Sequence, residues 1–374
     1  MKILFLCTFY HRALFFRQQM DALNARGHEV RAFNSARYGE GVAPKFQSIM
    51  DDMVVHTECW NKYDRLFFFP RQWKIEKKLE SLCDLKHYDL IHAHLMLSSG
   101  YTARKMKKKY GVPYVVSVRT TDLYGFIRIP YFRRMAVKIL KDANAVLFLS
   151  QPHKEELYNK YLSADEQKMV EEKSAIIGNA LENFWMENVW EKRTNDVDKN
   201  QLKILSVAKI RAIKNLPVAA KAVGELRKRG INATLTVVGE VQEQAEYEKI
   251  KQFEYVEVLP FMTKEELIDV YRTHDIFLLP SVDETFGRVY PEAMTQGMPV
   301  IYTKGQGFDK TFPEGTVGYA VAPDNPEEIA DRVEDIMADY QKMSASCVEL
   351  CENFFEDKII DKIEAFYKKA LNLE

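Results

Sequence analysis

Short apolar runs alternate with longer amphipathic stretches along almost the whole chain. The apolar runs show no strict alternation of polar and apolar positions, which is typical of parallel strands that are buried on both faces. In the first half they predict strands at 2–7, 29–33, 90–93, 114–118 and 145–149. In the second half they predict strands at 204–207, 234–238, 256–259, 276–279 and 300–302.

Helical stretches lie between these strands, and three of them end at a glycine. They are predicted at 11–26 before Gly27, at 98–110 before Gly111 and at 216–229 before Gly230. Glycine is favoured just past a helix end because it adopts a left-handed backbone conformation without strain. The repeated order of strand and helix predicts two α/β sandwiches in tandem.

The polarity of the chain predicts where these two domains meet. A chain of 374 residues usually forms two domains. The least apolar stretch lies within 187–200, so we expect a first domain at 1–186, a linker at 187–200 and a second domain at 201–356. The last stretch, 357–371, is amphipathic.

The composition indicates a globular protein of a reducing compartment. Hydrophobic residues make up 47% of the chain, and no apolar run approaches the roughly 18 residues that span a bilayer. The N-terminal run lacks the longer apolar region and the cleavage site of a secretion signal. The five cysteines are odd in number and form no CxxC pair, which favours thiols over disulfides. We therefore expect a cytoplasmic protein.

The net charge of −1 hides an asymmetry between the two halves. Residues 1–182 hold 29 Lys and Arg against 20 Asp and Glu, a balance of +9. The remaining residues hold 24 against 34, a balance of −10. This asymmetry indicates that the basic half faces an anionic partner.

The segment 283–294 carries the strongest candidate chemistry. It holds two carboxylates, Glu284 and Glu292, eight positions apart. Pro291 predicts that a helix begins there, because proline is favoured at the first helical position. Free backbone N–H groups at 286–289 would then lie between the carboxylates at the positive end of a helix dipole, where phosphate oxygens bind well. Two acceptors for sugar hydroxyls beside an anion site predict a pocket for a nucleotide-sugar.

This segment resembles the E-x7-E signature of the family-4 retaining glycosyltransferases of the GT-B fold. The match extends over Phe286-Gly287, Glu292-Ala293-Met294 and Gly297-Met298-Pro299. The resemblance implies an α/β protein with two Rossmann-like parallel-sheet domains facing a central cleft, and a C-terminal helix at 357–371 that packs back on the first domain. The plainer alternative is a strand, a turn and a helix with solvated acids.

The resemblance also implies roles for single residues. Glu284 is expected to contact the donor sugar, and Glu292 is expected to bind the ribose hydroxyls. The diphosphate is expected to bind at the backbone of the four residues Phe286, Gly287, Arg288 and Val289.

A second motif follows the strand 204–207. The family commonly has Gly-Arg-x-x-x-x-Lys-Gly here, and its two cations neutralise the donor diphosphate. This chain has Lys209 in place of the arginine and Lys214 at the lysine, while Ala208 and Asn215 replace the glycines. Lysine keeps the charge but lacks the bidentate fork of arginine, and Arg211 is a candidate to compensate. The alternative is a solvated cationic loop.

Other resemblances are shorter. Asp122 is expected to be catalytic, but Arg119 replaces a histidine that contacts the donor sugar in the family, so a salt bridge between Arg119 and Asp122 stays an equal alternative. Met262 falls where the family's backbone meets the nucleobase. The further candidates for the cleft or the acceptor site are His94, Arg119 and Asn179.

The resemblance implies a retaining glycosyltransferase with Lys209, Lys214, Glu284 and Asp122 as its catalytic residues. No D-x-D motif falls at a strand end, and this together with the paired lysines predicts activity without a metal. A nucleotide-sugar, with UDP favoured over GDP, is the donor, and a glycan or lipid-linked hydroxyl is the acceptor, in cell-envelope or extracellular polysaccharide synthesis. We expect no cofactor, no metal site and no nucleic-acid partner. The same fold leaves two alternatives open, a nucleotide-sugar epimerase and a non-catalytic nucleotide-sugar binder.

The basic half also predicts a peripheral contact with a membrane. Basic residues concentrate in 104–110 and 126–134, and aromatic residues crowd 66–73. Mixed apolar and basic segments are typical of interfacial contacts, and each Lys or Arg contributes about 1 kcal/mol near an anionic leaflet. An anionic membrane surface is therefore one expected partner, and the alternative is a solvated basic helix beside core aromatics.

Overall fold

The computed structural model describes residues 1–12, 14–65, 67–190 and 197–373. Their contacts divide the chain into two compact units. Unit 1 comprises Met1–Leu149, His153–Ala180 and the chain from Glu356 onward, and unit 2 comprises Ser150–Pro152 and Leu181–Phe355. The division expected from the sequence differs at 150–152 and 181–186, which belong to unit 2, and at Glu356, which belongs to unit 1. Residues 191–196 of the expected linker lie outside the described residues.

Unit 1 is built on a parallel sheet. Its strands are β1 (Lys2–Leu6), β2 (Glu29–Arg37), β3 (Val54–Trp60), β4 (Leu90–Ala93), β5 (Tyr114–Val118), β6 (Ala145–Phe148) and β7 (Ser174–Ile176). They are ordered β3-β2-β1-β4-β5-β6-β7, and every pairing among them is parallel. The direction of strand order therefore reverses between β1 and β4.

Helices cover both faces of this sheet, so its strands are buried on two sides. The helices are α1 (Leu14–Ala25), α2 (Phe68–Leu82), α3 (Ser98–Tyr110), α4 (Thr120–Tyr124), α5 (Pro130–Asp142), α6 (Gln151–Tyr161), α7 (Ala164–Glu171) and α15 (Glu356–Ala370). The last of these packs against α1, β5 and β6. Its Tyr367 hydroxyl forms a hydrogen bond of 2.6 Å with His92 Nδ1 on β4, which anchors the end of the chain in unit 1.

Unit 2 repeats the plan. Its strands are β8 (Leu202–Val207), β9 (Ala233–Val238), β10 (Val256–Leu259), β11 (Ile276–Leu278), β12 (Val300–Thr303) and β13 (Gly318–Val321), ordered β10-β9-β8-β11-β12-β13 and all parallel. Its helices are α8 (Asn183–Glu187), α9 (Leu216–Lys228), α10 (Gln244–Lys251), α11 (Lys264–Thr273), α12 (Val289–Thr295), α13 (Pro326–Ala338) and α14 (Tyr340–Leu350). The order reverses between β8 and β11.

The predicted fold class, with two Rossmann-like parallel sheets, is confirmed. The ten predicted strands are all present, but β3, β7 and β13 were not predicted. All three lie at an edge of their sheet, and β3 and β7 are only partly buried. An edge strand keeps polar residues, so a search for continuous apolar runs does not find it.

Candidate active site

The switch point of unit 2, where the strand order reverses between β8 and β11, brings two predicted motifs together. In open α/β sheets ligands bind outside the carboxyl ends of the strands at such a point. The loop after β8 and the loop after β11 are joined there, because the Val282 N–H donates to the Ile213 carbonyl at 2.9 Å. The two motifs are 70 residues apart between Lys214 and Glu284, and the topology alone makes them neighbours.

Lys214 and Glu284 form an ion pair in this loop junction. Lys214 Nζ lies 2.5 Å from Glu284 Oε2, and both side chains are largely buried. A turn of 3₁₀-helix at Ala212–Lys214 places the lysine. Asn215 ends that turn in the left-handed conformation, with φ of 55°, and its amide donates to the carbonyl of Pro280 at 3.1 Å. Asparagine tolerates this conformation better than most residues, so it can stand where the family has glycine.

The backbone of Glu284 is fixed from a third loop. Its N–H donates to Gln306 Oε1 at 3.0 Å, and its carbonyl accepts from the Gly307 N–H at 2.9 Å. An added Cβ at Gly307 would lie 2.5 Å from the backbone of Thr285 and Phe286. No sequence motif pointed to Gln306 or Gly307, because their role depends on a loop that follows a different strand.

The helix that follows Glu284 begins earlier in the chain than the sequence predicted. Helix α12 begins at Val289 rather than at Pro291, and its first helical hydrogen bond joins the Glu292 N–H to the Arg288 carbonyl at 3.0 Å. Proline is accepted in this first turn because N–H groups there have no partner within the helix. The N–H groups of Gly287, Arg288 and Val289 come before that first bond, so none is used inside the helix.

Phe286 and Gly287 shape this stretch in different ways. The Phe286 side chain is buried in the core, with its ring 5.8 Å from that of Phe354, so only its backbone is available to a ligand. Gly287 has a φ of 79°, and an added Cβ would lie 2.4 Å from the Tyr290 ring. Only glycine fits this turn without displacing Tyr290.

Glu292 faces a small cluster of charges. Burial raises its pKa to about 7, although Arg288 lowers it and Glu182 raises it further. Arg288 Nε lies 4.0 Å from the Glu292 carboxylate, and the same guanidinium donates to Glu182 Oε1 at 3.0 Å. Lys264 binds the other oxygen of Glu182 at 2.9 Å. Glu182 thus holds Arg288 in place, and the sequence did not reveal it because no motif surrounds it.

The candidates in unit 1 lie deeper than expected. Asp122 is buried at the start of α4, and its carboxylate accepts the backbone N–H groups of Met96, Leu97 and Arg119 at 3.0 to 3.1 Å. Burial raises the pKa of Asp122, and these hydrogen bonds oppose the rise. The Arg119 side chain donates instead to the His94 carbonyl at 2.9 Å. The salt bridge proposed between Arg119 and Asp122 is therefore not among the ion pairs of the described residues.

His94 and Asn179 follow strands β4 and β7 of the same sheet. The His94 ring is 1% exposed and is stacked on His92 with centroids 3.9 Å apart; burial lowers its pKa well below the usual range. Asn179 is partly buried beside Phe15 and Ile360, around a cavity of about 30 Å³. The expected position of His94 at a cleft edge does not match this burial, and a role for either side chain toward an acceptor stays a prediction.

Two family models account for most of the chain. Residues 190–353 match the model "Glycosyl transferases group 1", and residues 15–170 match the model "Glycosyltransferase Family 4". The chain is a family-4 glycosyltransferase of the GT-B fold.

Named proteins and solved structures agree with this family. The chain is 26% identical over 271 residues to D-inositol 3-phosphate glycosyltransferase of Paenarthrobacter aurescens, covering 68% of this chain and 65% of that protein. It is 22% identical over 368 residues to N-acetyl-alpha-D-glucosaminyl L-malate synthase of Bacillus anthracis, covering 93% and 91%. Sucrose-phosphate synthase from Thermosynechococcus elongatus has a similar fold, with a TM-score of 0.75, 16% identity and full coverage of both chains. Anabaena HepE in complex with UDP also has a similar fold, with a TM-score of 0.73 and 18% identity, covering 98% of this chain and 100% of that chain.

This glycosyltransferase departs from the family pattern mainly at its first cation. Lys209 is exposed, and its Nζ lies 3.9 Å from Glu240 rather than beside Glu284. Arg211 Nε is buried and has no hydrogen-bond partner among the described residues. Met262 is half-buried on the loop between β10 and α11. The structure therefore gathers Lys214 with Glu284 and Glu292 with Arg288, and it shows no such contact for Lys209 or Met262.

Proposed function

We propose that this glycosyltransferase moves a sugar from a nucleotide-sugar, preferably a UDP-sugar, to a hydroxyl of a glycan or lipid-linked acceptor with retention of configuration. The observation that carries the proposal is the Lys214–Glu284 pair at the switch point of unit 2, next to the N–H groups of Gly287, Arg288 and Val289, which form no backbone hydrogen bond within the described part of the chain. The Anabaena neighbours solved with UDP, UDP and glucose, or UDP-glucose support UDP as the nucleotide.

These groups suit a leaving diphosphate. The acceptor oxygen forms a bond to the anomeric carbon while the bond from that carbon to the β-phosphate oxygen breaks, and the hydroxyl proton passes to the departing phosphate. Negative charge grows on the diphosphate, and Lys214 with the backbone N–H groups is placed to stabilise it. A cation and oriented amides can take the part that a metal ion has in other transferases, so we expect activity without a metal.

Retention without a protein nucleophile also fits Glu284. A carboxylate engaged by Lys214 is a weak nucleophile, and it is better suited to accept hydrogen bonds from the donor sugar. Glu292, beside Arg288, is placed to accept from the ribose hydroxyls in its ionised form. NMR of the product with the natural donor checks the outcome: an inverted anomeric centre would contradict retention.

Acceptor-dependent release of nucleoside diphosphate tests the proposed function as a whole. With UDP-glucose, UDP-galactose and UDP-N-acetylglucosamine, we expect release of UDP only when an acceptor is present, and we expect it to continue in excess EDTA. Conversion of the donor to an epimer without acceptor would favour an epimerase. UDP binding with no turnover under any acceptor would favour a binding protein. Activity lost in EDTA and restored by magnesium or manganese would contradict metal independence.

We also propose that unit 1 contacts an anionic membrane that carries a lipid-linked acceptor, at the inner face of the cell envelope. The contact surface is an aromatic patch of Phe67, Phe69, Trp73 and Tyr131, together with Ile129, and each of these side chains is at least 41% exposed. The rings of Phe69 and Tyr131 are 5.7 Å apart, so the patch joins the start of α2 to the start of α5. The exposed arginines Arg128, Arg133 and Arg134 lie beside it in the chain. None of the described helices is long and apolar enough to cross a bilayer.

The basic run 104–110 contributes less than its composition indicated. Arg104 pairs with Asp142 at 2.6 Å, Lys105 with Glu76 at 3.0 Å and Lys109 with Glu80 at 2.7 Å. These cations are neutralised by carboxylates of α2 and α5, so they add little to attraction toward anionic lipid. The arginines next to the aromatic patch carry the proposal instead.

Vesicle sedimentation with a double variant tests the membrane contact. Arg133→Ala with Arg134→Ala removes two cations at about 1 kcal/mol each, so binding to anionic vesicles should fall roughly 30-fold. Lys368→Ala with Lys369→Ala removes the same charge from the exposed end of α15 and should have little effect. Equal, negligible binding of the wild type to anionic and neutral vesicles would remove the membrane claim and favour a soluble acceptor.

A further inference from the structure

Unit 1 has a cavity at its own switch point. The cavity measures about 170 Å³, and its walls include Thr8 and Phe9 after β1, Trp60 at the end of β3, and Leu97 and Ser98 after β4. The strand order of unit 1 reverses between β1 and β4. Ligands bind outside the carboxyl ends of parallel strands at this kind of reversal, so the position of the cavity matches that of a ligand site.

Three uncharged donors on the cavity wall have no partner. Trp60 Nε1, Gln72 Nε2 and Ser98 Oγ are buried and form no hydrogen bond with the residues that the structure describes. Gln72 is only 1% exposed, and its Oε1 accepts from Thr102 Oγ1 at 3.1 Å. That contact engages the amide oxygen and leaves the NH₂ group for a ligand. Buried donors are almost always hydrogen-bonded in folded proteins, so three on one wall indicate a ligand rich in acceptor oxygens.

The charged residues on the wall disfavour an anionic ligand. The charged lining residues are one arginine, Arg71, and two carboxylates, Glu40 and Asp122. The Arg71 guanidinium lies 5.6 Å from the Trp60 ring and 5.9 Å from the Phe68 ring, where it stacks on aromatic faces. The Asp122 carboxylate is engaged by three backbone N–H groups. One positive and two negative charges leave a formal balance of −1, which repels a phosphate or a carboxylate.

The remaining wall is apolar. Phe9, Phe68, Ile75, Leu95 and Leu97 line it. Phe68 also belongs to the aromatic cluster next to the exposed patch, because its ring lies 5.3 Å from that of Phe69. A ligand here therefore meets aromatic and aliphatic side chains together with three neutral donors.

We propose that this cavity binds the neutral sugar ring, or a similar uncharged polyol, that presents the acceptor hydroxyl. The ring packs its carbon face on Phe68, and its oxygens accept from Gln72, Trp60 and Ser98. Gln72 is then the residue that selects a neutral ring over a phosphorylated or carboxylated one. The proposal rests on the proposed transferase function, whose donor site lies in unit 2 on other residues.

Direct binding to the full chain tests the proposal without turnover. The probes are octyl glucoside, octyl galactoside, octyl mannoside and octyl N-acetylglucosaminide below their micelle concentrations, with glucose 6-phosphate and malate as anionic probes, measured by ligand-observed NMR. We expect at least one neutral ring to bind and both anions to bind at least tenfold more weakly. Gln72→Leu should weaken the neutral ring about tenfold, as expected for one lost hydrogen bond to a buried donor. Trp60→Phe should weaken it less.

Two controls separate a ligand contact from a structural role. Thr102→Val breaks the same hydrogen bond to Gln72 but keeps the cavity-facing NH₂, so it should leave ring affinity within about twofold. Gln47→Leu makes the same replacement on the surface of unit 1 and should change nothing. UDP affinity should be unchanged in every variant. If the wild type itself did not bind UDP, the proposed function would be contradicted instead of the cavity proposal. The cavity proposal is overturned if no neutral ring binds, if the anions bind as well, or if Gln72→Leu and Thr102→Val have equal effects; the donors would then be satisfied by water only.

Discussion

The two switch points share a topology but differ in how their polar groups are partnered. In unit 2, Glu284 is paired with Lys214, and Glu182 is shared by Arg288 and Lys264. In unit 1, the donors of Gln72 and its neighbours are uncharged and line a mostly apolar cavity. Charge near free amides suits a leaving diphosphate, whereas neutral donors suit hydroxyl oxygens. One fold thus offers two kinds of site at equivalent positions, and the side chains on the loops decide between them.

The net charge of each unit does not match the charge of the ligand that its site is proposed to bind. Unit 1 holds 33 Lys and Arg against 24 Asp and Glu, a balance of +9, and unit 2 holds 20 against 30, a balance of −10. The acidic unit nevertheless carries the cations expected to hold the anionic donor. Long-range charge therefore does not point to the proposed donor site, whereas the local pairing of charges does.

Loss of Lys214 should have the largest effect. Lys214→Ala removes the cation beside Glu284 that is expected to stabilise the leaving diphosphate, so turnover should fall about 1000-fold or more. The fold should be retained at a lower melting temperature, because the largely buried Glu284 carboxylate loses its partner. Lys228→Ala is the matched control, since it also breaks a lysine–glutamate pair of 2.7 Å in unit 2, on the surface. Wild-type turnover in Lys214→Ala would contradict the proposal that the switch point of unit 2 holds the donor diphosphate.

The pKa of Glu292 gives the next largest effect. Its value of about 7 in the folded protein exceeds the ordinary 4.5, so between these pH values the folded state keeps a proton that the unfolded state has lost. Stability therefore falls as pH rises from about 4.5 to about 7, by roughly 3 kcal/mol from this residue. Glu292→Gln should remove that slope from denaturant curves measured across the range. A variant with the same slope as the wild type would show that the carboxyl is not desolvated.

Donor binding should reverse this proton uptake. If ribose hydroxyls donate to ionised Glu292, UDP binding near pH 6.5 releases protons from this carboxyl group. Calorimetry in two buffers of different ionisation enthalpy should then measure between zero and one proton released per UDP bound. Glu292→Gln should release fewer protons than the wild type. Identical proton release by both proteins would mean that Glu292 does not titrate with the donor.

The candidate donor motifs are visible in the sequence, whereas the contacts that position them are not, because of how each is built. Glu284, Glu292 and Lys214 lie in segments with local sequence signatures, so their spacing is visible in the chain. Glu182, by contrast, acts across 106 positions on Arg288. The position of such a residue depends on tertiary packing, which no local pattern records.

The cavity of unit 1 was hidden from the sequence for a similar reason. Trp60 ends an edge strand that the apolar pattern did not predict, and Gln72 sits within an amphipathic helix where a glutamine is ordinary. Asp122 was found, but its expected catalytic role stays a prediction, because in the structure its carboxylate holds the backbone N–H groups of the loop after β4.

A smaller effect on stability is expected at Gly287. Gly287→Ala adds a Cβ 2.4 Å from the Tyr290 ring at a φ of 79°, so it should destabilise unit 2 by about 2–4 kcal/mol in total. Gly230→Ala has a similar φ of 84° with open space around it, so it should cost only about 1 kcal/mol. Chemical denaturation of both variants isolates the clash with Tyr290. Equal losses in the free energy of unfolding would mean that the turn at Gly287 relaxes without cost, which would contradict a rigid backbone at the proposed diphosphate site.

The smallest effect is expected from Glu182. Glu182→Gln keeps the shape of the side chain but weakens its hold on Arg288 and Lys264, so the donor KM should rise about fivefold, as expected for about 1 kcal/mol, with little change in kcat. Glu225→Gln weakens a single surface pair with Lys228 and serves as the control. A fall in kcat with unchanged KM would indicate instead that Glu182 acts in the chemical step.

Equilibrium binding of UDP to three proteins tests the division of labour most directly. The wild type, Lys214→Ala and Gln72→Leu differ by one residue each, at one switch point or the other. We predict that UDP affinity falls at least tenfold in Lys214→Ala and stays within twofold of the wild type in Gln72→Leu. Unchanged affinity in Lys214→Ala, or a comparable loss in Gln72→Leu, would contradict the assignment of the donor to unit 2 and the acceptor to unit 1.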